Sequence, residues 1–286
     1  MAKVKIITDS NSGITQNEAK ELGILVIPMP FTVDGEEYLE DISITQEKFF
    51  EFLNNDADVK TSQPSRFYLE ELFDNLLNEN DELVYIPMSS GLSGTCENAT
   101  ALAQNYNGKV FVVNNTRISV TQKHSVLEAI KLANSGKSGL EIKNKLEENG
   151  NIQSIYIMVG TLKYLKKGGR ISGTAAALGS LLKIKPILYS DGGSFDKFAL
   201  ALNTIQAKRK MIDQVKQELS TKFRKQLEYN SLVISVAHTN NLNDAIKFKE
   251  EIIKEFPNVK FEFVDSLSLS VACHIGPGSL AIAICC

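Results

Sequence analysis

Four short runs in the first half of the chain are almost wholly apolar and rich in β-branched residues: VKIIT from Val4, ILVIPM from Ile24, LVYIPM from Leu83 and VFVV from Val110. Runs without polar alternation suit strands covered on both faces, and such strands belong to parallel sheets with helices above and below. Longer segments of helical character stand between them, among them residues 67–77 and 93–106. That alternation is what a parallel α/β layer requires, because each parallel connection must cross back over the sheet. A first domain is therefore expected over 1–150, ending at the turn-forming triplet Asn149-Gly150-Asn151.

From 151 to 286 the pattern changes. An apolar strand, SIYIMVG from Ser154, precedes two short helical segments bounded by glycines. A strand at 185–189, a turn at Asp191-Gly192-Gly193 and a second strand over 198–202 make a hairpin signal, which implies antiparallel or mixed pairing. A long amphipathic helix over 204–227, the strand LVISVA from Leu232, a helix over 242–256, the run VKFEFV from Val259 and a closing strand in GSLAIAI complete this half. The expected fold is thus α/β in two domains: an N-terminal parallel sheet flanked by helices, and a C-terminal mixed sheet with helices.

Composition excludes several functions. With 286 residues, 43% hydrophobic and 23% charged, the chain is neither disordered nor fibrous. A net charge of -3 gives no field that would attract nucleic acid or an acidic membrane. The first ten residues lack a signal-peptide core and no apolar run reaches membrane-spanning length, so a cytoplasmic protein without stable membrane insertion is expected. Cys96, Cys273, Cys285 and Cys286 form no CxxC pair and the three histidines are scattered, which indicates neither a zinc site nor a disulfide framework. The thiols are expected to be reduced and mostly buried, with Cys285 and Cys286 a plain tail.

The strongest local signal is Ser89-Ser90-Gly91-Leu92-Ser93-Gly94-Thr95, between the strand LVYIPM and the helical run CENATALAQNY. A glycine loop leading from a strand into a helix presents free N–H groups and the positive end of the helix dipole to an anion. Helix capping by Ser93 or Thr95 accounts for the same residues equally well. No lysine follows the loop, so it is not a Walker A phosphate cradle. In Thr61-Ser62-Gln63-Pro64-Ser65, capping explains Ser65 but leaves Thr61 and Ser62 as two hydroxyls just outside a second helix start. Two such loops at one sheet edge can converge on a small anion.

In the second half, Lys163, Lys166, Lys167 and Arg170 bracket Gly168-Gly169. Lys166 and Lys167 read as a solvated face, whereas Arg170 precedes a helix start where its guanidinium can be aimed at a carboxylate. Lys208, Arg209 and Lys210 stand near the start of a helix, where cations oppose the dipole, so the cluster reads as an intermolecular contact. His274 lies in Cys273-His274-Ile275-Gly276-Pro277-Gly278, which reads as a turn between two apolar strands. A structural role is the ordinary one for such a histidine.

In order along the chain stand ITDSNSGI, IPMPFTVDGEEYLED, TSQPS, SSGLSGT, TLKYLKKGGRIS, LLKIKPIL and HIGPG. Together these motifs resemble the DegV family. The resemblance implies a two-domain α/β fold that binds a fatty acid, some members serving as the acyl-carrying subunit of bacterial fatty acid kinase. The kinase partner, related to dihydroxyacetone kinase, would phosphorylate the bound carboxylate to an acyl phosphate, so this chain would itself catalyse nothing. No cofactor is implied beyond a bound long-chain fatty acid. By position, the carboxylate contacts would be Thr61 and Ser93, with Ser62, Gly94, Arg170 and His274 nearby, and kinase docking would fall to Arg209. The chain departs from the family pattern in VVNNTRISVTQ, which replaces an aspartate-serine pair, and in Ile275, where threonine is frequent.

The physical reading agrees, because a buried carboxylate needs several hydrogen bonds and hydroxyls at helix starts supply them. An acyl tail needs an apolar tunnel, which the runs TAAALGSLL and FALAL can line, although core packing explains them equally. Three other functions compete. A serine hydrolase using Ser93 and His274 would need G-x-S-x-G, and the second glycine here comes one place too early. A nucleotide or sugar-phosphate binder lacks the P-loop lysine and a carboxylate cluster for magnesium. A lipid sensor without a kinase shares the ligand and differs only in partner.

Overall fold

Both faces of the first sheet are covered, which is why its strands carry no polar alternation. The computed structural model describes residues 2–177 and 184–286. In chain order come β1 (Val4–Asp9), α1 (Gln16–Leu22), β2 (Leu25–Ile27), β3 (Pro30–Val33), β4 (Glu36–Leu39), α2 (Gln46–Asn54) and β5 (Val59–Thr61). Next are α3 (Arg66–Leu77), β6 (Glu82–Ile86), α4 (Thr95–Ala103), β7 (Val110–Val112), α5 (Val120–Asn134) and α6 (Gly139–Glu148). Strands β2-β1-β6-β7 pair in that order, all parallel. Ile6, Val26, Val84 and Ile86 pack on one face against Ala19 of α1, Val126 and Ala129 of α5, and Ile142 and Leu146 of α6. Ile7, Ile27, Leu83, Tyr85 and Val112 pack on the other, against Leu69 and Phe73 of α3 and Cys96, Ala99 and Leu102 of α4. The helix starts are fixed locally: Thr15, Thr45, Ser65 and Ser138 each accept the backbone N–H three residues on.

The apolar runs do not reveal one element of this unit. Strands β4-β3-β5 form a small antiparallel sheet, and Asp34-Gly35, with φ of 50° and 92°, turns β3 into β4. Two central residues at positive φ are the hairpin turn that Asp-Gly favours. The signal is present in IPMPFTVDGEEYLED, but the strands are only 4 residues long. Phe31 of β3 meets Phe49 of α2 edge-on, ring centroids 5.5 Å apart.

The remaining elements are β8 (Gln153–Met158), α7 (Lys163–Gly168), α8 (Gly173–Ala176), β9 (Lys185–Ser190), β10 (Asp196–Ala201) and α9 (Thr204–Ser220). They continue through α10 (Arg224–Glu228), β11 (Val233–His238), α11 (Leu242–Glu255), β12 (Lys260–Ser266), α12 (Leu269–Ile275) and β13 (Leu280–Cys285). The second sheet runs β10-β9-β8-β13-β11-β12. It is mixed, because β11 and β12 are parallel and every other pair is antiparallel. Tyr156, Met158, Ile234, Val236, Leu280 and Ile282 face a core with Met211 and Val215 of α9 and Phe248 and Ile252 of α11. On the opposite face the register places Ser235 beside Ala283 and Ala237 beside Ala281, all buried.

The helix expected over 204–227 is broken: α9 stops at Ser220, and Phe223 turns inward, fully buried, before α10 begins. Its apolar spacing continues across the break, so periodicity alone cannot show it. Cys285 and Cys286 are not a plain tail, for β13 lies between β8 and β11 and both residues are buried. All four cysteines are buried. By contact the chain divides into two compact units, Met1–Asn151 with Ser268–Ser270, and Ile152–Leu267 with Val271–Cys286. Among the described residues, no helix is long and apolar enough to cross a membrane.

Candidate functional site

In the first unit, Thr61 ends β5 paired with Phe31, and the Ser62 N–H donates to Pro30 O at 3.0 Å. Ser65 caps α3 by accepting the Tyr68 N–H at 3.1 Å, which leaves Thr61 and Ser62 ahead of the cap. In the loop after β6, the N–H groups of Leu92 and Ser93 both donate to Ser89 O at 3.1 Å, and the Ser89 hydroxyl accepts the Gly91 N–H at 3.1 Å. The loop is therefore folded on its own serine. Gly94 occupies the cap position of α4 and offers no side chain. The Ser93 hydroxyl lies 2.9 Å from Thr95 Oγ1 and accepts the Thr95 N–H at 3.3 Å, with no imidazole among its partners in the described residues. Ser93, one residue ahead of the cap position, thus accepts the first N–H of α4.

The structure brings the two hydroxyl loops together. A Cβ on Gly94 would stand 3.2 Å from Gln63 Oε1 and 3.9 Å from Asn98 Nδ2. Gln63 is the residue that sequence reasoning missed: it lies inside TSQPS, between the two hydroxyls and the cap, and its amide is the group in contact.

The second unit holds Arg170 and His274. His274 is not in the turn between strands that its motif predicts but in the last turn of α12. The turn follows it, with Gly276 and Gly278 at φ of 81° and 77°. Ser270, Val271, Ala272, Cys273 and Ile275 are all buried, so α12 has no exposed polar face for a helical period to reveal. Burial, reinforced by the nearby Arg170 charge, lowers the His274 pKa to about 4, which leaves the imidazole neutral at physiological pH. The Arg170 guanidinium donates through Nη1 to Gly168 O at 2.5 Å.

The model of a family described as uncharacterised protein, DegV family, matches residues 3–286. The chain belongs to the DegV family. A DegV domain-containing protein of Staphylococcus aureus is 31% identical over 284 residues, which cover 99% of each chain. Among solved structures, a fatty-acid-binding DegV family protein from Thermus thermophilus superposes with a TM-score of 0.84 at 27% identity, covering 99% of both chains. DegV of Bacillus subtilis, a fatty acid binding protein, gives 0.83 at 28% identity over 100% of this chain and 99% of its own.

In this DegV family chain the cluster Lys208-Arg209-Lys210 does not act as one surface. Lys208 is buried, with Nζ 3.0 Å from Glu251 and 5.4 Å from the Phe248 ring centroid. Lys210 donates to Leu200 O at 2.9 Å. Both cations therefore serve local folding, contrary to the intermolecular role expected of all three. Only the Arg209 side chain stands out, 85% exposed and 4.0 Å from Asp213. Of the two runs expected to line a tunnel, Phe198, Ala199 and Ala201 pack in or against the core under α9. Residues 178–182 of the other lie outside the described residues. Among the described residues no group of three or more His, Cys, Asp or Glu could hold a metal ion.

Proposed function

We propose that this chain binds a long-chain fatty acid and presents its carboxylate to a separate kinase for acyl-phosphate formation, without catalysing a reaction itself. The observation that carries the first half is the meeting of the loops of Thr61, Ser62, Ser93 and Gly94 across the Gly94–Gln63 contact. They offer hydroxyl donors beside the positive end of α4, an arrangement that stabilises one carboxylate. Relatives above 25% identity are described as binding fatty acids. In the second unit, Arg170 and the neutral His274 are the proposed ligand-binding groups. The buried pairs Ser235–Ala283 and Ala237–Ala281 form a sheet face of small side chains that suits an acyl tail. Each methylene buried contributes about 0.8 kcal/mol, so the tail supplies most of the affinity and the polar groups fix the carboxylate.

Mass spectrometry of small molecules released by denaturation is expected to find a long-chain fatty acid. Delipidated protein is expected to take one up again. A nucleotide released from the protein, or no lipid uptake, overturns the reading.

The kinase half rests on Arg209. Ile205, 81% exposed, is one helical turn before it, and Leu202, 72% exposed, just precedes α9. An arginine beside exposed apolar side chains has the make-up of an interface centre. Arg209→Glu is expected to lower kinase-dependent acyl-phosphate formation by about 30-fold or more, the effect of losing one strong interface contact. Lipid uptake should be unchanged. Equal loss of uptake would make Arg209 structural.

A further inference from the structure

Helix α7 meets the segment His274–Gly276 through two contacts of bare backbone against a ring. A Cβ on Gly168 would stand 2.0 Å from Nδ1 and 2.9 Å from Cε1 of His274. A Cβ on Gly276 would stand 2.4 Å from Cδ2 of Tyr164. Tyr164 and Gly168 are four residues apart, so one face of α7 makes both contacts.

The two glycines that end α7 have different reasons to be glycine. Gly169 takes φ of 68° at the helix C-cap, a conformation that disfavours any side chain. Gly168 is inside the helix and is not among the residues at positive φ. Alanine would be the better helix former there, so backbone conformation does not call for glycine. What calls for it is the imidazole, which occupies the space a methyl would fill. Gly168 also presents its carbonyl to the Arg170 guanidinium. A single residue therefore touches both polar groups of this cluster.

We propose that Gly168 is a positioning residue for ligand binding, its bare backbone setting the ring plane of His274 and its carbonyl setting the fork of Arg170. The inference rests on the reading of Arg170 and His274 as ligand groups. A neutral imidazole has one N–H to donate, and a guanidinium binds a carboxylate best in plane, so both depend on direction as well as distance. Hydrogen bonds weaken steeply off alignment, and a ring tilted away from a methyl loses its donor direction.

The test is a double-mutant cycle on the full chain with Gly168→Ala, His274→Ala and both together. Affinity for oleate is measured alongside the NMR titration of His274 in ligand-free protein. Gly168→Ala is expected to weaken oleate binding at least about tenfold in the parent and less than about twofold in the His274→Ala background, where the vacated ring space accepts the methyl. It is also expected to move the His274 ring resonances and pKa before any lipid is added. Equal loss in both backgrounds, or unchanged binding with an unchanged ring, overturns the proposal. Should Gly168→Ala not fold, recovery of the fold in the double variant supports the contact, and failure to recover overturns it. Absence of oleate uptake by the parent would defeat the fatty-acid reading alone, since the ring titration tests the positioning without ligand.

Discussion

Replacing Glu40 by Gln is expected to remove about 3 kcal/mol of pH dependence from the unfolding free energy between pH 4.5 and 7, each tenfold change in proton affinity being about 1.4 kcal/mol. Glu40 is buried, and its carboxylate accepts from the Ser10 hydroxyl at 2.7 Å, the Ser270 hydroxyl at 3.3 Å and the Leu269 N–H. Burial outweighs these hydrogen bonds and pushes its pKa from 4.5 up to about 7. In that interval the folded protein holds a proton that the unfolded chain has released, so the group stabilises at low pH and the effect is lost as pH rises through 7.

His274 acts in the opposite sense. Its pKa falls from 6.5 to about 4, so the unfolded chain takes the proton first. Its contribution is complete above pH 6.5 and disappears as pH falls toward 4. Urea unfolding at a series of pH values, each variant subtracted from the parent, should give two slopes of opposite sign, one for Glu40→Gln and one for His274→Asn. A flat difference for Glu40→Gln would mean that its carboxyl titrates as an exposed one does.

The parts of this fold that the sequence displays are those whose burial is symmetric or strictly periodic. VKIIT and LVYIPM announced covered strands because Ile6 and Ile7, or Val84 and Tyr85, are buried on opposite faces. The hairpin at Asp191-Gly192-Gly193 was legible because turn chemistry is local. The segment α12 was not, since a seven-residue helix buried nearly all round has neither strand alternation nor an exposed polar stripe. Lys208 illustrates a different blindness. A dipole argument treats it as an exposed cation, and only tertiary structure supplies Glu251 and the Phe248 ring. In the candidate site, the hydroxyls of TSQPS and SSGLSGT could be read as anion ligands, but the Gly94–Gln63 contact depends on where the chain returns, which no local pattern encodes.

Arg117 carries the largest single stability effect expected in the chain. It lies in VVNNTRISVTQ, and its side chain is wholly buried. Nη1 donates to Ser125 Oγ at 2.9 Å and Nη2 to Asn149 O at 2.9 Å, tying the start of α5 to the residue that caps the end of α6. Beside it, a Cβ on Gly150 would come within 2.8 Å of Asn115 O, so this corner has no slack for the chain to collapse into. Arg117→Ala removes two charge-assisted hydrogen bonds, leaves the Asn149 carbonyl short of a donor and opens a cavity the size of a guanidinium and its stem. The expected cost is about 3–5 kcal/mol, or a fall in Tm of roughly 10 °C for a chain of this size. Arg117→Lys should lie between the parent and Ala, because a single ammonium on a flexible stem cannot reproduce the two-pronged geometry. The Ser93 loop is held to this segment by backbone, Ser89 N–H to Arg117 O at 2.8 Å, and that bond survives either substitution. Thermal unfolding should therefore fall sharply while the folded fraction, measured below its transition, still takes up fatty acid. A variant that unfolds within about 1 kcal/mol of the parent would show that the guanidinium is not what holds this corner together.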